Sequence, residues 1–207
     1  MSERRVLSWL ALLLLAALAG GVALVSAGLF DPPLNGTTVR ERPLPAHTIP
    51  AHGRFLTWLD EPLPPTNYTL RLTAVHQSGE PDVGYGLIVG DDSNGLTVLV
   101  SPLGYVTVRL GETAVVPWQP WPHVQTGTEP NEIWLNVGGV EGNGRAAVRI
   151  NRELLWAGEV AGEIGELSGQ MGLVGENYGG ETAVVAWEKL EIESVAGSIS
   201  VFPVPLW

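Results

Sequence analysis

The chain has 207 residues, of which 45% are hydrophobic and only 16% charged, with a net charge of -11. The residues beyond 30 carry -12, offset by +1 before them, and so acidic a surface repels phosphate backbones, which sets nucleic acid aside as a partner. Cysteine is absent, so there is no disulfide, thiolate metal site or cysteine nucleophile, and the fold must be held by its core alone.

The first element is an apolar run. Val6 to Phe30 carries no charged residue and follows Arg4 and Arg5. A helix needs about 20 apolar residues to cross a bilayer, so residues 6–30 read as a transmembrane helix or signal anchor. The positive-inside tendency puts residues 1–5 in the cytoplasm as a short stub and the rest outside the cell membrane. Trp9 then falls at the inner headgroup level and Phe30 at the outer one. A cleaved signal peptide is the alternative: Val25-Ser26-Ala27 is a small-residue cleavage pattern, and cutting after Ala27 would secrete the remainder.

Residues 31–52 contain five prolines among polar residues and read as an extracytoplasmic spacer, with a short strand possible at Gly36–Arg40. From Gly53 the pattern is β. Tyr68, Leu70, Leu72 and Ala74 alternate with Thr69, Arg71 and Thr73. The same period of two recurs at 105–110, 133–138 and 146–150. Residues 85–90 and 96–100 are continuously apolar, as in strands covered on both faces. Leu190 and Ile192 alternate with charged neighbours, and the parity fails at Trp187, which predicts a bulge. Asp91 to Gly95 reads as a hairpin loop with the glycine placed for positive φ, and Leu103-Gly104 and Asn151-Arg152 as further turns. Strands at this spacing predict an all-β, two-sheet antiparallel sandwich over residues 53–194, followed by an apolar tail, 195–207.

Several of these segments together resemble one family. Gly84-Tyr85-Gly86-Leu87-Ile88-Val89, the Asp-Asp-x-Asn turn after it and Gly104-Tyr105 follow the pattern of concanavalin A-like lectin/glucanase (laminin-G-like) jelly-roll domains. Pro130-Asn131-Glu132-Ile133, Val148-Arg149-Ile150-Asn151, Gly169–Val174 and Trp187–Ile192 continue it in order, with Arg152 standing where the family has a glycine. The resemblance implies a jelly roll and suggests carbohydrate as ligand class. It implies no activity, because the fold hosts binders, glycosidases, lyases and structural domains.

Chemistry-bearing residues are sparse. Glycosidases of this fold carry two carboxylates on one strand face, and no such pair is found. Glu159, Glu163 and Glu166 have loop spacing, while Glu191 and Glu193 share a face that reads as solvated. His47, His52, His76 and His123 show no metal-ligand spacing. Asp91, Asp92 and Asn94 could supply oxygens to Ca2+, although turn formation alone accounts for them.

The tryptophans stand out. Trp118-Gln119-Pro120-Trp121-Pro122-His123 puts two indoles in a Pro-stiffened loop, where exposed rings would stack on sugar faces with Gln119 and His123 as hydrogen-bonding neighbours. The other reading is that Trp118 and Trp121 close the end of the core. Three functions follow. The leading one is a membrane-anchored, non-catalytic binding module for a glycan or cell-surface polymer. The others are an accessory subunit with integral membrane protein partners, and a glycan-acting enzyme.

Overall fold

The computed structural model describes residues 3–26, 36–60, 62–64, 67–140, 143–160 and 170–195. Two compact units emerge, Met1–Leu34 and Asn35–Trp207. The first contains helix α1, Glu3–Ser26. Its side chains are described only between Trp9 and Val22, where Trp9 and the leucines are exposed. Among the described residues no helix is long and apolar enough to cross a membrane. The side chains of Arg4 and Arg5, and Phe30 and the Ala27 cleavage position altogether, lie outside the described residues.

In the second unit the alternations become strands with one face inward. β1 (Gly36–Pro43), β2 (Ala46–Ile49) and β3 (Arg54–Leu59) come first. β4 (Tyr68–Gly79), β5 (Val83–Gly90), β6 (Leu96–Val100), β7 (Tyr105–Leu110) and β8 (Thr113–Pro120) follow. β9 (Asn131–Val140), β10 (Asn143–Ile150), β11 (Glu153–Glu159), β12 (Gln170–Asn177) and β13 (Ala183–Val195) complete the set. They form two antiparallel sheets, one in the order β1-β13-β4-β9-β10-β11 with β2 also on β13, the other β3-β12-β5-β6-β7-β8. The two-sheet sandwich read from the periodicity is therefore present.

The core lies between the sheets. Leu70, Leu72, Ile133 and Leu135 from the first meet Tyr85, Leu87, Val98 and Leu173 from the second, all fully or nearly fully buried. Trp187 is the largest fully buried side chain, and its indole Nε1–H donates to the Gly86 carbonyl at 3.1 Å, tying β13 to the opposite sheet. That bond satisfies the one polar atom of an otherwise apolar ring. The bulge expected at Trp187 is found, between Trp187 and Lys189. A second cluster, Ile88, Leu99 and Val174 with Leu56 and Trp58, occupies the outer face of the β3–β8 sheet.

Three expectations change. Residues 36–49 are not spacer: β1 pairs with β13 from Gly36↔Val195 to Pro43↔Lys189, and β2 pairs with it from Ile49↔Ala183 to Ala46↔Ala186. Long-range pairing overrides the local proline content there, and the prolines sit at strand ends, where no ladder donor is lost. In the β5–β6 hairpin the positive φ falls on Gly90 (103°) rather than Gly95. Gly95 is needed for space, since a Cβ there would lie 2.4 Å from the Asp91 carbonyl oxygen. Trp118 and Gln119 belong to β8, not to a loop, because β8 is an edge strand and an edge tolerates Pro117 and Pro120. At the β10–β11 turn, Asn151 (φ 49°) and Arg152 (φ 76°) are both left-handed, so an arginine holds a conformation suited to glycine. The tail from 196 onward, like Glu163 and Glu166, lies outside the described residues.

Candidate functional site

The strands of the β3–β8 sheet turn alternate residues to the outer face. On β5, Tyr85 and Leu87 join the core, leaving Gly84 and Ile88 outward. On β7, Val106 and Val108 join the core, leaving Tyr105 and Arg109 outward. Trp118 sits where the β7–β8 register slips between Val106 and Val108, and such irregularities re-aim side chains. Its indole reaches across the sheet to Gly84: a Cβ there would stand 2.8 Å from the ring. Gly84 is thus the floor that makes room for the indole.

Four exposed apolar side chains converge at this end: Leu103 (49% exposed), Tyr105 (43%), Trp118 (38%) and Tyr178 (44%). They line a concavity of about 510 Å³ together with Asp82, Val83 and Ser101. That volume is within the range of small-ligand sites, ~300–1,000 Å³. The Trp118 and Tyr178 rings meet edge to face, 6.2 Å between centroids at 90°.

The segments behind the rings are pinned by buried asparagines. Asn177 Nδ2 donates to the Glu181 carbonyl at 2.7 Å while its Oδ1 accepts from Gly179 N–H at 3.0 Å, holding the turn that carries Tyr178. The Tyr178 N–H donates to the Asp82 carbonyl at 2.9 Å, fastening that turn to the β4–β5 turn. Asn131, fully buried, donates to the Gln125 carbonyl (2.9 Å) and accepts from the Gln125 N–H (2.8 Å) and Asn151 Nδ2 (2.9 Å). Asn151 in turn donates to the His123 carbonyl at 2.6 Å. These bonds clamp the loop after β8 to the β9 and β10 ends.

The four sequence-derived candidates part company here. Only Trp118 lines the concavity. Gln119 is half-buried on β8. Trp121 packs against the core, its indole N–H buried and unpaired, and His123 lies beside it at 5.6 Å. Tyr105, Tyr178 and Asp82 were not singled out. A large aromatic on the polar parity of β7, and another in the turn Asn177-Tyr178-Gly179-Gly180, were the available signals.

A second, charged cleft of about 1140 Å³ lies on the same unit, lined in part by Arg54, Asp92, Thr97, Arg109 and Glu176. Arg54 Nη2 donates to Asp92 at 2.6 Å and its Nε lies 3.7 Å from Glu176. Arg109 also donates to Glu176, whose other oxygen accepts the Tyr178 hydroxyl at 2.7 Å. Burial, with Glu176 adding to it, pushes that hydroxyl up to about 12. The Arg54 guanidinium holds Asp92 below the usual carboxylate range. A glycosidase acid needs one carboxyl held protonated, and Asp92, paired with Arg54, is set up the opposite way.

The Ca2+ candidates are engaged otherwise. Asp91 Oδ1 accepts the N–H groups of Ser93 (2.7 Å) and Asn94 (2.8 Å), which lowers its pKa, and Asp92 is paired with Arg54. Among the described residues no three His, Asp or Glu side chains are grouped as a metal would need.

No family model and no curated protein matches the chain. Among solved structures it is similar to the Emp46p carbohydrate recognition domain in its potassium-bound form, at 14% identity over 72% of this chain and 81% of that one, TM-score 0.49. It is similar to a lectin from Bauhinia forficata in complex with GalNAc, at 9% identity over 74% and 97%, TM-score 0.49. A third is the VIP36 exoplasmic/lumenal domain in a Ca2+/Man3GlcNAc-bound form, at 8% over 73% and 77%, TM-score 0.47. At these scores the likeness identifies neither ligand nor residues, and the sandwich stands on its own strand order.

Proposed function

We propose that the protein is a non-catalytic carbohydrate-binding module of the concanavalin A-like type, held at a membrane by its N-terminal segment. One observation carries the binding reading. Of the five large apolar side chains exposed among the described residues of the sandwich unit, four line a single concavity, and only Leu154 lies elsewhere. Three are aromatic, and aromatic faces with a few polar groups between them bind the apolar faces of sugar rings. Gly84 and the asparagine clamps hold the rings in place before a ligand arrives, which lowers the ordering cost.

The membrane reading rests on sequence. Residues 6–30 carry no charge and Arg4-Arg5 precede them. Carbonate extraction of cell membranes tests it: a protein retained in the pellet, starting at its own N-terminus, supports the anchor, and one released and beginning at Gly28 refutes it.

The binding reading is tested by titrating the full chain in detergent with neutral oligosaccharides while following tryptophan fluorescence. A saturable change is expected in the native protein and its loss in Trp118→Leu and Tyr105→Ala. Variants that fold and bind as the native protein does would move the site elsewhere.

A further inference from the structure

The pocket has a charge pattern of its own. Among the described residues Asp82 is the one charged residue that lines it, and no Lys or Arg does. Its backbone is fixed on both sides: the Asp82 N–H donates to Glu80 Oε1 at 3.2 Å, and its carbonyl accepts from Tyr178. Its carboxylate has no ion pair or hydrogen bond to another described residue. A neighbouring charge reinforces its sign: Glu80 lies at the same turn, within reach of the Glu181 N–H at 3.4 Å. Arg109, whose charge is felt at the Tyr178 hydroxyl, is paired with Glu176. Anionic sugars would meet the Asp82 carboxylate here.

Three aromatic rings beside an unpaired carboxylate favour a positive charge, because ring faces attract cations and the carboxylate adds an ion pair. The chain builds the completed form of this arrangement elsewhere. On the outer face of the other sheet the Arg71 guanidinium lies 4.5 Å from the centre of the Trp134 ring, paired with Glu193 at 2.7 Å and Glu191 at 3.4 Å. At the pocket the described residues supply rings and a carboxylate but no cation.

We infer that the sugar entering the pocket carries a free amino group, bound as its ammonium ion between Asp82 and the faces of Trp118, Tyr105 and Tyr178. The inference rests on the pocket being a glycan site and specifies which glycans it selects. A hexosamine has both features required, an apolar ring face for Trp118 and an equatorial cation for Asp82.

The test uses three tetrasaccharides with the same β-1,4 backbone that differ only at C2: glucosamine, N-acetylglucosamine and glucose. The full chain in a neutral detergent is titrated at about pH 5.5, where an amine of this kind is protonated, and in ~0.15 M salt, which screens attraction to the net negative charge. The glucosamine tetramer is expected to bind about tenfold tighter than the other two. Asp82→Asn should bring it level with them, and Trp118→Leu should abolish binding of all three, with thermal unfolding showing that both variants are folded. Equal affinities in the native protein overturn the inference while leaving the glycan reading standing. A preference that survives Asp82→Asn, or glucosamine binding that survives Trp118→Leu, also overturns it, since attraction to the acidic surface would then suffice. Binding by none of the three overturns the inference and the glycan reading together.

Discussion

Two tryptophans on opposite outer faces of the sandwich keep similar company and meet opposite fates. Trp134, on β9, is covered: Arg71 lies over it, and Arg71 and Glu193 are only 11% and 8% exposed in their side chains. Trp118, on the edge strand β8, keeps a face open beside Tyr105, Tyr178 and the unpaired Asp82. The first region is closed on itself, so its charges act on stability. The second is held rigid from behind and open in front, so its charges are free to act on a ligand. The difference follows from position. β9 is central in its sheet, with neighbours that reach over it, whereas β8 ends its sheet and abuts a turn.

Neutralising or removing charge should separate the regions most sharply. Arg71→Ala leaves Glu191 and Glu193 without their cation in a part-buried setting and should cost about 3 kcal/mol. Asp82→Asn should change stability by less than ~0.5 kcal/mol. Chemical denaturation of both measures this, and comparable losses would break the comparison. Asn131→Ala should cost about 2 kcal/mol, because it strands the Gln125 N–H and the Asn151 amide, and should also weaken glycan binding by freeing the loop behind the rings. Stability lost with affinity unchanged would show that the clamp does not serve the site. Arg152→Gly relieves a left-handed arginine and should stabilise by about 1 kcal/mol without affecting binding.

The smallest effect concerns pH. Asp91 titrates below its ordinary 3.8 in the folded chain because turn N–H groups hold its charged form. Its contribution is therefore present above 3.8 and is lost as pH falls through the lower folded value. Asp91→Asn keeps the acceptor but removes the charge, so thermal stability measured from about pH 5 downward should fall less steeply than in the native protein.

The sandwich was largely legible because its central strands bury one face each, and a period of two survives in such strands as it does at Leu70 to Ala74. β1 was legible only as a possible short strand at Gly36–Arg40 and β2 not at all, since both are held by pairing with β13, far along the chain, and their proline-rich surroundings read as coil. The site was legible in one residue. Trp118 announced itself among prolines, but Tyr105, Tyr178 and Asp82 come from β7, the β12–β13 turn and the β4–β5 turn. No local pattern marks a pocket assembled from four distant segments. Trp121 looked equivalent to Trp118 and is not, because the chain leaves the edge strand at Pro120 and turns Trp121 toward the core.

Trp118 faces a ligand while the other described sandwich tryptophans are structural, and indole N–H resonances distinguish the two. With the eight tryptophans labelled in the full chain and assigned by single substitutions, a β-linked oligosaccharide is titrated in. The Trp118 signal is expected to shift saturably while those of Trp134 and Trp187 stay in place. Saturable shifts at Trp134 or Trp187 with Trp118 unmoved, or no shift at any indole, would contradict it.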